Sequence, residues 1–196
     1  MGIPIGITGG IGSGKSIATR IFHTMGYPVF YSDNEAKKLM VHDESIKKEI
    51  VNIFGKKAYI NNELNRKLLA EKVFKNPELK EKINQVIHPA VRQKFNEFEK
   101  SFDNKTPVFN EAAILFETGA YKNFKHIILV TADQEIRIER ILKRDNTTTS
   151  EIKSRMMNQW SDEKKIPMAD FVINNNGDTL VIPQLLKVLR ELNIIK

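Results

Sequence analysis

Residues 3–16 read Ile3-Pro4-Ile5-Gly6-Ile7-Thr8-Gly9-Gly10-Ile11-Gly12-Ser13-Gly14-Lys15-Ser16, and the second half of that stretch completes the pattern G-x-x-x-x-G-K-[ST]. Apolar Ile3, Ile5 and Ile7 precede the loop, and a helix-compatible run, Ile17 to Met25, follows it. The flanks matter as much as the match, because such a loop works only between a strand and a helix. Its glycines let the backbone fold round an anion with successive N–H groups pointing inward, and the helix N-terminus adds partial positive charge. In this reading Gly10, Ile11, Gly12, Ser13 and Gly14 cradle the phosphates of a nucleoside triphosphate. Lys15 reaches the β- and γ-phosphates, and the Ser16 hydroxyl ligates Mg²⁺. What the chain does with the triphosphate must come from other residues.

Four further apolar segments read as buried strands: Pro28 to Tyr31, Val108 to Glu111, Ile127 to Thr131 and Phe171 to Ile173. Helical stretches separate them, which predicts crossover connections and an α/β sheet of five parallel strands. The proline of the second segment has to start its strand or sit on an edge. Between the second and third strands the gap is too long for one crossover. There Ile83, Val86, Ile87, Ala90, Val91, Phe95 and Phe98 recur at helical spacing, and Pro89 is expected to kink that helix or begin a new one after His88. Residues 33–103 thus read as a helical insertion large enough to form a substrate lobe, and 139–167 as a lid. Residues 1–32, 104–138 and 168–196 form the nucleotide-binding core. Thr148 and Glu151 have capping-box spacing. Asn174-Asn175-Asn176-Gly177 makes a turn, after which Asp178 is expected to cap a last helix through Leu192.

With 196 residues the chain can bury a substantial core without staples, and with no cysteine it has neither disulfides nor thiolate metal sites. No run approaches a membrane span, and the first strand leaves no room for a signal peptide, so the expected location is cytoplasmic. The formal charge of +7 suits a polyanionic small substrate as well as nucleic acid. Lysines interleaved with glutamates, as in Glu78-Leu79-Lys80-Glu81-Lys82, mark solvated helix faces, and no nucleic-acid motif is present. Neither nucleic acid, nor membrane, nor an obligate protein partner is expected.

Asp33 follows the second strand and so belongs at the carboxyl edge of the sheet, where open α/β sheets bind ligands. A carboxylate there can orient an acceptor hydroxyl and take its proton, or Asp33 and Ser32 can simply cap the next helix. Glu111 ends the third strand, where an acid can hold Mg²⁺ directly or through water, or be structural. Glu117 is open between substrate contact and surface acid. Arg137, Arg140 and Arg144 share one helix face. Their guanidinium groups suit the charge that spreads over a transferring phosphoryl group, the alternative being a solvated face paired with nearby acids. Arg140 and Arg144 lie nearer the lid and are favoured for function, with Arg137 left as surface. His88 reads as a packing or capping residue, and Trp160 is open between lid packing and a more specific role.

In combination these residues resemble the dephospho-CoA kinase family over nearly the whole chain. The resemblance runs from Ile5 to Ser16, through Ser32-Asp33 with Ala36 and Leu39, Leu64-Asn65-Arg66, Val73-Phe74, Ile87-His88-Pro89 and Leu115-Phe116-Glu117. It continues with Arg140, Lys143-Arg144, Arg155-Met156, Gln159, Lys164, Ala169-Asp170 and Asn174 to Gly177. It implies an adenylate-kinase-like P-loop fold, with helices on both faces of the sheet, an inserted CoA-binding lobe and a mobile lid. It also implies ATP-dependent phosphorylation of the ribose 3′-hydroxyl of dephospho-CoA. Asp33 then takes the place of the family's base. Arg140 and Arg144 belong round the ATP phosphates, and the turn from Asn175 to Gly177 beside adenine. His88, Leu115 and Glu117 neighbour the CoA substrate.

Two positions depart from the family pattern. Tyr31 replaces the first acid of an Asp-x-Asp pair, leaving Asp33 alone. Ala113 replaces the proline of Pro-Leu-Leu-x-Glu, relaxing the backbone there. The rival readings are another small-molecule P-loop kinase and a nucleotide-driven switch, although the Asn-Lys-x-Asp of guanine-specific switches is absent.

Overall fold

The structure, a computed structural model, describes residues 1–195, without the Phe74 side chain, so that half of the Val73-Phe74 pair lies outside the described residues. In chain order the elements are β1 (Ile3–Thr8), α1 (Lys15–Thr24), β2 (Val29–Tyr31), α2 (Ser32–His42), α3 (Glu44–Phe54), β3 (Tyr59–Ile60) and β4 (Glu63–Leu64). Next come α4 (Arg66–Lys75), α5 (Pro77–Lys100), β5 (Pro107–Glu111), β6 (His126–Thr131), α6 (Gln134–Arg144), α7 (Thr149–Met157), α8 (Asp162–Lys165), β7 (Phe171–Asn174) and α9 (Val181–Glu191). The chain divides into two compact units, Met1–Tyr31 with Glu99–Lys196, and Ser32–Phe98.

In the first unit five strands pair in the order β2-β5-β1-β6-β7, all parallel. The three central strands are largely buried, with Thr8 and Asn110 among their buried polar residues, as in a sheet covered on both faces. Along β6 the period-2 alternation sorts the side chains. Ile128 and Val130 join Ile5, Ile7, Phe22 and Leu185 in one buried cluster, while Ile127 and Leu129 join Leu115 and Phe116 in another. The first cluster contains a stacked pair, Phe22 on Phe109, with ring centroids 4.1 Å apart. Pro28 lies just before β2, an edge strand, where its missing N–H costs no ladder bond. The capping box of α7 is formed: Thr148 Oγ1 accepts from the Glu151 N–H, and the Glu151 carboxylate accepts from the Thr148 N–H.

The second unit is helical round Leu39, Ile46, Ile50, Phe54, Leu69 and Ile87, with the Ile83, Val86, Ala90 and Val91 stripe of α5 packed on it. Asp43 caps α3 and Asn65 caps α4. The Tyr59 hydroxyl donates to the Met40 carbonyl at 2.6 Å, and burial, reinforced by Glu44, pushes its pKa up to about 12.

Two expectations need correcting, and one element is added. Helix α5 runs through Pro89 as one 24-residue element, so no new helix begins after His88. Pro89 and Gln85 are both exposed, so the Gln85 carbonyl that loses its donor can be hydrated. The last helix begins at Val181 with Leu180 in the N-cap position and no side-chain cap, so Asp178 does not start it. The hairpin of β3 and β4 is new. Asn61 and Asn62 both take positive φ, 52° and 64°, as a two-residue hairpin turn with the favoured twist demands. Among the described residues no helix is long and apolar enough to cross a membrane.

Candidate active site

The carboxyl end of β1 leads directly into the phosphate-type loop, which closes on itself through Ser13 N–H to Gly10 O at 3.1 Å. Lys15 Nζ donates to Gly9 O at 2.9 Å, folding the lysine back over the loop. Gly14, the N-cap of α1, has φ +95° and caps with no side chain. The first N–H groups of α1 therefore depend on partners other than a capping side chain. A Cβ at Gly14 would lie 2.0 Å from Asn175 Nδ2, and one at Gly10 would lie 2.2 Å from Arg137 Nη2. A side chain at either position would displace groups that press on the loop from both sides, and at Gly14 the positive φ also favours glycine. Ser16, next to Lys15, is exposed.

One of those groups is the turn after β7. Asn175 is 6 % exposed and its Nδ2 donates to Ser13 O at 2.8 Å. Asn176 Oδ1 accepts from the Asp133 N–H at 2.8 Å, tying the turn to the start of α6. Gly177 completes it with φ +103°. The Asn175 side chain thus braces the loop directly.

The other group is α6. The sequence reading leaves Arg137 on the surface, and the structure overturns that. Its side chain is 12 % exposed, its Nε donates to Ile11 O at 2.9 Å, and its Nη1 pairs with Asp162 Oδ2 at 3.4 Å. Burial pushes the Asp162 carboxyl above the usual aspartate range, and the positive charges of Arg137 and then Lys165 pull it back. Arg140, one turn on, has Nη1 buried with no hydrogen-bond partner among the described residues. Arg144 is held by its neighbour, with Nε and Nη2 donating to the two Asp145 carboxylate oxygens at 2.8 and 2.9 Å. The three arginines of one helix face therefore serve three separate surroundings.

The segment from Gln159 to Lys165 fastens to the loops that follow β1 and β5. Gln159 Oε1 accepts from the Ile11 N–H at 2.8 Å and its Nε2 donates to Ala113 O at 3.2 Å. Glu117 Oε1 accepts from the Trp160 N–H at 2.9 Å and lies 2.9 Å from Nζ of Lys165, a lysine with no exposed surface. Lys164 Nζ sits 3.4 Å above the Trp160 ring. Glu117, expected at the CoA substrate, is thus engaged in holding this segment. Leu115, expected there too, is 3 % exposed and belongs to the core. A cavity of about 670 Å³, ligand-sized, opens at the carboxyl ends of β6 and β7, lined by Thr131, Asp133, Arg137, Gln159, Asp162 and Asn176 among others. Glu111 ends β5, half-buried, opposite Tyr31 in the register of β2.

In the second unit, Asp33 is the second residue of α2 and is exposed. His88 is half-buried on α5. Burial lowers its pKa and so disfavours the imidazolium, with the Glu81 carboxylate opposing that and Arg92 adding to it.

The dephospho-CoA kinase family profile matches residues 3–180. A dephospho-CoA kinase of Bacteroides fragilis is 39 % identical over 189 residues, covering 96 % of this chain and 92 % of the relative. A solved structure of dephospho-CoA kinase from Campylobacter jejuni is similar over 98 % of both chains, with 28 % identity and a TM-score of 0.72. A Thermus thermophilus protein of solved structure reaches a TM-score of 0.84 at 32 % identity, over 98 % of this chain and 96 % of that one.

Proposed function

The chain belongs to the dephospho-CoA kinase family, and from that membership we infer how its residues divide the work of the reaction. It is a phosphotransferase that catalyses the last step of coenzyme A biosynthesis, ATP-dependent phosphorylation of the ribose 3′-hydroxyl of dephospho-CoA. The ribose oxygen forms a bond to the γ-phosphorus, the bond from that phosphorus to the β–γ bridging oxygen breaks, and ADP leaves. The hydroxyl proton passes to the Asp33 carboxylate and from there to solvent. Such a transfer is governed by positioning and charge stabilisation.

In our reading the loop N–H groups from Gly10 to Ser16 and the Lys15 ammonium hold the ATP phosphates. Arg140 and Arg144 stabilise charge on the transferring group, with Asn175 and Gly177 flanking the nucleotide. The observation that carries the donor half is the supply of donors in the first unit. The α1 N-terminus has no side-chain cap, and Arg140 Nη1 is buried without a hydrogen-bond partner among the described residues. Both suit a polyanion.

Asp33 as base rests on the family resemblance and on its place two residues beyond β2. His88 is assigned to the acceptor side on the resemblance alone, residues 33–103 to holding the CoA substrate, and 139–167 to closing over ATP. Cytoplasmic residence is part of the same proposal.

Ser16 and Glu111 are the residues that would hold Mg²⁺. Their hydroxyl and carboxylate are hard oxygen donors, and Mg²⁺ is commonly held by one or two such side chains with phosphate and water oxygens completing the shell. When bound, the ion neutralises charge on the β- and γ-phosphates.

A panel of acceptors with γ-labelled ATP tests this reading. Label should pass to dephospho-CoA; label on AMP or a sugar acid instead would reject it, and hydrolysis coupled only to a protein partner would point to a switch.

A further inference from the structure

Gln159 lies in the turn after α7, yet its side-chain amide joins two strand-end loops remote in sequence. The Oε1 takes the Ile11 N–H and the Nε2 gives a proton to the Ala113 carbonyl. Only one amide orientation satisfies both partners, since a backbone N–H needs an acceptor and a carbonyl a donor. The other side of Ile11 is held as well, because its carbonyl accepts from Arg137 Nε, whose guanidinium is fixed by Asp162. The peptide groups on both sides of Ile11 are therefore clamped, at the apex of the phosphate-type loop, by groups from α6 and the segment after α7. The adjoining Trp160 N–H is anchored to Glu117, so Gln159 cannot drift without breaking that bond too.

We propose that Gln159 is a positioning residue, which fixes the shape of the loop at Ile11 and so sets its affinity for the nucleotide. It touches neither reacting atom; it acts through the Ile11 peptide, with Arg137 as the opposing hand. This rests on the reading of the loop as the ATP site. The clamp holds the loop equally in the ground and transition states, so its loss affects binding rather than turnover.

Gln159→Met keeps the length of the side chain and removes both hydrogen bonds. Loss of hydrogen bonds of ordinary strength to partly buried backbone groups predicts about a tenfold weaker ADP affinity by calorimetry. The KM for ATP should rise by about the same factor, with kcat within about twofold and the KM for dephospho-CoA unchanged. Amide exchange at Ile11 should accelerate. Gln159→Asn keeps the amide but is one methylene too short to span both partners. It carries the same expectation should the methionine variant fail to fold. A purely structural role would lower the active fraction, reducing apparent kcat at constant KM for ATP. That result, or ADP affinity within twofold of the unaltered protein in a folded variant, overturns the proposal. The two readings fail separately: an unaltered protein that binds ADP but makes no CoA rejects the kinase reading, and the ADP comparison still judges the clamp.

Discussion

Lys165→Met is a demanding perturbation of this fold, because Lys165 has no exposed surface and its ammonium lies 2.9 Å from Glu117 Oε1. Glu117 is itself only 12 % exposed, and its Oε2 is buried without a hydrogen-bond partner among the described residues. Removing the lysine leaves a carboxylate with one remaining hydrogen bond, from the Trp160 N–H, and no compensating charge. Breaking a buried pair from one side costs about 3–5 kcal/mol. Adding Glu117→Gln removes the orphaned charge and keeps a carbonyl acceptor for Trp160. The double variant should therefore lose only about 1–2 kcal/mol, the scale of an imperfectly satisfied polar site. Urea unfolding followed by the fluorescence of Trp160 reads both, since it is the sole tryptophan and adjoins the pair. The slope against urea should stay constant while the midpoint falls and then recovers. A loss below about 1 kcal/mol for Lys165→Met, or a further loss on adding Glu117→Gln, refutes the reasoning.

Asp33→Asn should leave ADP binding intact and lower turnover about 10²–10⁴-fold, the range of general-base catalysis; wild-type turnover would remove Asp33 from that role. Arg140→Met should lower kcat about 10²–10³-fold, as loss of one donor to developing charge does. A loss under tenfold in steady-state kinetics would shift that duty to another residue. In the α7 capping box the Thr147 hydroxyl, followed by the Thr148 N–H and hydroxyl, holds the Glu151 carboxyl below its ordinary 4.5. Its contribution to stability is thus complete above 4.5 and disappears as pH falls through the lower folded value. An NMR midpoint for Glu151 at or above 4.5 would contradict this, and Thr148→Ala should cost about 1 kcal/mol in thermal or urea unfolding.

The sheet was legible because its strands are parallel and covered on both faces. Each reads as a short, predominantly apolar segment, and the expected bounds fall within about one residue of those seen. The loop was legible because its chemistry is local. By contrast, β3 and β4 are two residues each, too short for an alternation, and their one sequence signal was the pair Asn61-Asn62 between them. Helical periodicity placed Arg137, Arg140 and Arg144 on one face but could not tell which met a carbonyl, which was buried and which met Asp145. Arg144 is taken by its own neighbour Asp145, whereas for Arg137 that choice is made by Ile11 and Asp162, remote in sequence. For the same reason Lys165 drew no attention, and Glu117 was expected at a substrate rather than beneath Trp160. Gln159 was visible as part of the family resemblance, but its two backbone partners could be found only in the fold.

The loop from Gly9 to Ser16 is proposed as the donor half of a kinase site whose acceptor is the ribose 3′-hydroxyl of dephospho-CoA. The most direct test is mass spectrometry of the purified protein's products from ATP, Mg²⁺ and dephospho-CoA, with fragmentation to locate the new phosphate. The expected product is CoA carrying the phosphate at the ribose 3′ position, formed in step with ADP, with no CoA from a Lys15→Ala variant. ADP and inorganic phosphate without CoA, or a phosphate elsewhere on the acceptor, would contradict it.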